Sequence, residues 1–242
     1  LHNIDIQPLC VQSSSGGYVL LICSPCIDAG DPDVVYLDPD NTRNDMGAKY
    51  FYHEGIYIQE EMVSGTWALD QAPVHVNTSV TVPDGEVLVI EPGVEVLFLG
   101  HHKMVVNGSI EAYGNVDERI LFTAFNQDAG WHGLRIISES VSYQPSNFVH
   151  CTFEYGKATG GEASRDNCAG ALSIIGNDYV MVDHCKFFNN EASGDSPGYL
   201  SSGGAIYIES CNPLIMYCDI MYNSSQEYGG GLVFNNASPV LH

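Results

Sequence analysis

The sequence predicts an all-β fold, a right-handed parallel β-helix, from three observations. Short runs of alternating apolar residues lie between tight bends, a glycine-led segment recurs, and a cysteine-centred segment recurs in step with it. From about Met62 onward, Gly, Asn and β-branched residues come too often for a 3.6-residue apolar stripe to persist, so strands dominate. Val80 and Val82, Val87 and Val89, then Val94, Val96 and Phe98, then Val106 and Ile110 form the early alternating runs. Pro83-Asp84-Gly85, Glu91-Pro92-Gly93 and Gly100 punctuate them.

The glycine-led segments start at Gly133, Gly170, Gly204 and Gly230, spaced by 37, 34 and 26 residues. The second repeat is His150-Cys151-Thr152-Phe153, His184-Cys185-Lys186-Phe187 and Tyr217-Cys218-Asp219-Ile220, with its cysteines 34 and 33 residues apart. A period with a floor in the mid-twenties suits one coil of a β-helix, whose strands stack about 4.8 Å above those of the previous coil. Longer coils carry loops, such as Lys157 to Asn167 and Ala192 to Ser202. Stacking predicts ladders of equivalent residues: Cys151, Cys185 and Cys218 as buried thiols, and Phe153, Phe187 and Ile220 beside them. Asn189, Asn190, Asn223 and Asn236 are expected at coil bends, in left-handed backbone or hydrogen-bonded along the stack.

Gly203-Gly204-Ala205-Ile206 and Gly229-Gly230-Gly231-Leu232, paired with Phe187-Phe188-Asn189-Asn190, resemble the repeat of the polymorphic outer-membrane-protein type of bacterial β-helix. Val80 to Phe125, ending in Gly130-Trp131-His132-Gly133, resembles the opening of a β-helix domain in large secreted bacterial proteins. Ser24-Pro25-Cys26-Ile27-Asp28-Ala29-Gly30-Asp31 with Asp38-Pro39-Asp40 to Asp45 resembles a closing segment. The resemblance thus implies that residues 1–58 finish one β-helix module and residues 59–242 begin another, and that Cys10 and Cys26 pair as a disulfide. The chain reads as part of a longer extracellular or cell-surface protein.

Eight Lys and Arg against 30 Asp and Glu give a net charge of −22, which opposes binding to nucleic acid. No apolar run approaches the roughly 18 residues that a membrane-spanning helix needs. The densest chemistry is the acidic stretch Asp28, Asp31, Asp33, Asp38, Asp40 and Asp45. A Gly/Pro-bent loop with this many oxygens is a Ca2+ site, or else a capping loop whose carboxylates accept backbone N–H groups and pair with Arg43. His150 and His184 are expected to face outward on adjacent coils, either as plain surface residues or as a metal-binding pair. Trp131 is expected to cover the end of the core.

Catalysis on this fold needs a basic residue beside Ca2+ or carboxylates clustered on one outer face. The repeats place no two basic residues equivalently, and Asp183 and Asp219 lie on opposite sides of the cysteine ladder in sequence. The expected function is therefore a non-catalytic structural or adhesive scaffold whose partners are further coils of the parent protein, identical copies, or glycans. Its alternative is a carbohydrate-binding or polysaccharide-degrading β-helix. Tyr199, Tyr207, Tyr217, Tyr222 and Tyr228 are the candidate glycan-stacking rings.

Overall fold

The computed structural model describes residues 5, 7–12, 18–20, 24–38, 42–47, 51, 55–137, 145–159, 165–194 and 201–242. Two units divide between Glu54 and Gly55. The boundary expected at residue 58 moves back by one strand, because Ile56–Ile58 pairs in parallel with Val74–Val76 and is the first rung of the second unit.

The described part of the first unit holds an antiparallel hairpin, Cys10–Gln12 with Tyr18–Leu20, and a 3-10 turn at Val34–Tyr36 capped by the Asp33 carboxylate. The parallel rungs among the described residues all belong to the second unit.

That second unit is a parallel β-helix of three faces. The first face stacks Ile56–Ile58, Val74–Val76, Glu95–Phe98, Ile120–Ala124, Cys151–Glu154, Lys186–Phe188 and Asp219–Met221. Each coil then runs to the third face, which stacks Val80–Val82, Met104–Val106, Leu134–Ile137, Leu172–Ile175, Ile206–Glu209 and Leu232–Asn235. The second face closes the coil with Gly65–Trp67, Val87–Ile90, Ser109–Tyr113, Ser146–Val149, Val180–Asp183, Leu214–Met216 and Val240–Leu241. Part of the expected loop sequence forms a lateral three-stranded sheet instead, from Lys157–Thr159, Glu191–Ser193 and Ser224–Ser225.

The register explains the repeats. Leu134 pairs with Leu172, and Leu172 with Ile206. Gly170 therefore sits beneath Gly204, whereas Gly133 is one position out of step. A Cβ at Gly204 would come within 2.1 Å of the Gly230 carbonyl and 2.2 Å of the Ser224 carbonyl. Only hydrogen fits where successive coils turn so close together. In the strand Val87–Ile90 the inward residues are Leu88 and Ile90, so Val87 and Val89 point out.

Corners repeat as regularly as strands. Left-handed residues precede the first-face strands at His150, His184 and Tyr217, and follow them at Tyr155, Asn189 and Tyr222. The third-face strands end in Gly176, Ser210 and Asn236, also left-handed. The four asparagines split between two tasks. Asn189 and Asn236 adopt the left-handed backbone, while Asn190 and Asn223 form a side-chain ladder. Asn190 Oδ1 accepts from Gly156 N at 2.9 Å, and its Nδ2 donates to Phe153 O at 3.0 Å and Asn223 Oδ1 at 2.9 Å. Asn223 Nδ2 repeats the bond one coil on, to Phe187 O at 2.9 Å.

Aromatic rings fill the interior. Phe122, Phe153 and Phe187 stack with centroids 4.8 and 4.9 Å apart and planes within 4°, a separation set by the strand spacing. Trp131 does not cover an end. It is fully buried in mid-solenoid, stacked on Phe98 at 4.3 Å, and its indole N–H donates to Glu154 O at 2.9 Å. Because Phe153 is clasped on both faces, Phe153→Ala is expected to lower stability by about 3–5 kcal/mol. The partly exposed Phe234→Ala should cost under about 1 kcal/mol; urea unfolding followed by circular dichroism compares the two.

Candidate functional site

The acidic loop of the first unit uses its carboxylates as backbone acceptors. Asp45 Oδ1 accepts from Asp28 N at 2.8 Å, and its other oxygen accepts from Phe51 N. Asp38 Oδ2 accepts from Asp45 N at 3.0 Å, Asp31 from Asp33 N at 3.0 Å and Asp33 from Val35 N at 3.1 Å. Among the described residues Arg43 donates to the carbonyls of Gly30 and Ala29 and not to a carboxylate. No three metal-ligating side chains converge among the described residues, and Asp40 lies outside them. Cys10 and Cys26 are free thiols, so the pairing implied by the resemblance is not formed. Cys10 is exposed on the hairpin, while Cys26 is buried in the turn held by Ser24 and Asp45.

The cysteine ladder is a packing device. Each thiol has two carbonyls within reach of its one S–H, that of the residue two before it and another one coil below. Cys151 reaches Val149 O and Ala112 O, Cys185 reaches Asp183 O and Phe148 O, and Cys218 reaches Met216 O and Val182 O, at 3.1–3.6 Å. Burial and the bond to Cys151 push the Cys185 thiol well up. The bond to Cys185, followed by burial, does the same for Cys218. Thiols held protonated in this way are poor nucleophiles and poor metal ligands.

Outside that ladder, His150, His184 and Tyr217 form a column with ring centroids 4.9 Å apart. Arg119 Nη1 lies 3.3 Å from His150 Nδ1, and Asp183 holds His184 Nδ1 at 2.7 Å. Burial, Arg119 and His184 depress the His150 pKa. A cation at one nitrogen and a carboxylate at another turn the pair into a hydrogen-bonded corner. Asp183 and Asp219 stand on different faces, the second and the first. Of the five tyrosines, Tyr199 lies outside the described residues and Tyr207 is buried. Tyr217, Tyr222 and Tyr228 are exposed, the first before the strand Asp219–Met221 and the other two between it and Leu232–Asn235.

Two arrangements escaped the sequence reading. On the outer surface of the first face, burial and then the charge of Glu154, two strands away, raise the Glu95 pKa. Glu154 Oε1 accepts from Thr123 Oγ1 at 2.9 Å. Alternation places both glutamates outward, and the register sets them on the same face with the strand Ile120–Ala124 between them.

The other arrangement lies on the third face. Thr81, Val105, Arg135, Ser173, Tyr207 and Val233 form one outward column in register. Even so, Arg135 is 3%, Ser173 0% and Tyr207 6% exposed. Cys168 and Ala169 lie over the face, packed against Tyr207 and Val233. Cys168 bridges to Ser202, and Ser202 to Tyr228. The rim is polar. Arg165 pairs with Glu209 at 2.6 Å, Tyr207 Oη donates to Glu209 at 2.8 Å, and Lys103 Nζ lies 3.3 Å from Asp166. Burial pushes the Tyr207 pKa up to about 12 and that of Cys168 upward. For Glu209 burial is outweighed by the bonds from Arg165 and Tyr207, which hold it down. These shifts carry Tyr207, Cys168 and Glu209 away from neutral pH. The Arg135 guanidinium, lowered to about 10 by burial, remains charged there.

Comparisons with protein-family models, with curated proteins and with solved structures found no match for this chain.

His132 completes the rim, stacked on His101 at 4.8 Å with Nε2 2.9 Å from Asp166 O. Burial, and next the Arg135 charge, push its pKa down to about 4. The unfolded chain protonates this group near pH 6.5 and the folded one only near 4, so stability falls as pH drops through that window. Between pH 7 and 4, urea unfolding is expected to show the native sequence losing about 2–3 kcal/mol more than His132→Gln.

Proposed function

We propose that this chain is a structural or adhesive scaffold module of a large extracellular bacterial surface protein, and that Ca2+ binds its acidic loop. The observation that carries the scaffold reading is the continuous stack of parallel rungs, from Ile56–Ile58 to Val240–Leu241, with ordered Phe, Cys and Asn columns inside. Such a stack is stiff along its axis and presents loops and corners at fixed spacing. Further coils of the parent protein, identical copies and glycans are the partners this geometry suits. The acidity argues against nucleic acid.

The calcium proposal rests on the density of carboxylates in a Gly/Pro-bent loop. Adding Ca2+ to chelator-treated protein should raise its melting temperature by several degrees; coincident melting curves would overturn that part.

Glu95 and Glu154 favour a second reading, degradation of a polysaccharide, because a hydrolase of this fold would use two carboxylates on one outer face. Incubating the purified chain with Ca2+ and a panel of polysaccharides, while following bound ligand and released product, separates the readings. Scaffold function is expected to release no product, with or without binding. Release that disappears in Glu95→Gln and Glu154→Gln would replace it with the enzyme.

A further inference from the structure

Arg135 poses a physical problem that the scaffold reading leaves unsolved. It projects from the outer side of the third face yet is 3% exposed. Its Nη1 donates to Ala169 O at 3.0 Å and to Leu134 O at 3.4 Å. Nε and Nη2 are buried and have no hydrogen-bond partner among the described residues. A desolvated guanidinium with part of its donor set unmet is costly, because a buried charge is tolerated only when paired and hydrogen-bonded. Asp166 is the nearby carboxylate, but its oxygens face Lys103 Nζ at 3.3 Å.

The two unmet groups share one edge of the guanidinium, the edge that grips two oxygens of a single anionic centre with parallel N–H bonds. Ser173 pairs with Arg135 in register on the next coil, and its hydroxyl is likewise buried without a partner among the described residues. The covering segments contribute two more such side chains, Asn167 and Ser201. The donors lie beneath that cover, and the carboxylates at its rim, Asp166 and Glu209, are paired with Lys103 and Arg165.

We propose that Arg135, through Nε and Nη2 and with the Ser173 hydroxyl, binds a small oxyanion or carboxylate beneath the segment that covers the third face. The geometry requires two oxygens on one centre. A planar carboxylate and a tetrahedral sulfate or phosphate share that feature, and a halide does not. Entry requires the cover to lift, so binding rigidifies the cover as well as satisfying the arginine.

The test uses the whole chain. Melting curves and calorimetric titrations are recorded with formate, sulfate and phosphate, each against sodium chloride at matched ionic strength. At least one oxyanion is expected to stabilise the native sequence saturably beyond chloride; formate acting alone identifies a carboxylate ligand, and sulfate or phosphate a tetrahedral one. Arg135→Lys keeps the charge but loses the two-pronged edge, and Ser173→Ala leaves the guanidinium intact. Both are expected to bind about tenfold or more weakly. Equal responses to chloride and the oxyanions, no response at all, or full binding by Arg135→Lys would overturn the proposal. Should Arg135→Lys fail to fold, unchanged affinity in Ser173→Ala would overturn the site as drawn.

Discussion

Parallel strands stacked at about 4.8 Å force every side chain in one coil onto its counterpart in the next, and most of this molecule follows from meeting that constraint. Inside, the residues that tolerate it are those whose own kind makes a good neighbour at that distance. Phenylalanine rings lie flat on phenylalanine rings, thiols cap carbonyls of their own coil and the one below, and asparagine amides pass hydrogen bonds from rung to rung. Glycines are required where turns of successive coils approach so closely that a Cβ would meet a carbonyl.

The same constraint governs the outer surface, where no solvent-excluding partner is guaranteed. Columns there must either tolerate water or acquire a cover. The first face and its corners take the first course, with Arg119, His150, His184 and Tyr217 held in a hydrogen-bonded and stacked column. The third face takes the second. Its covering segment makes a small second core around Cys168, Ala169 and Tyr207, and in doing so traps Arg135 in an environment where a guanidinium is not stable alone. A structural solution to one problem, the exposed outer side of a sheet, thereby creates a chemically competent feature.

The unmet donors of Arg135 on the third face and the glutamates Glu95 and Glu154 on the first point to different chemistry on different faces. The first is a matter of holding an anion out of water, and the second of two carboxylates on one outer face. A stiff solenoid can carry both without coupling them, since each coil contacts chiefly the coils next to it.

Much of the architecture was legible in the residues. Alternation and in-step repeats determine an all-β solenoid because one coil cannot bury its apolar residues without the next, and the spacing of Cys151, Cys185 and Cys218 marks the register along the first face. Left-handed corners at His150, Tyr155 and Tyr222 were not legible, since no local preference of those side chains demands the conformation that the stack imposes. Nor could local sequence show that Gly133 is out of step, that Trp131 lies in mid-solenoid, or that Arg135 is buried: alternation assigns a side chain to the outer surface but cannot say what folds over it. Sequence by itself therefore determined the rungs and their ladders, which are periodic and local. Tertiary structure alone decided which outward residues meet across coils and which are taken out of water, because those depend on insertions whose path no period encodes.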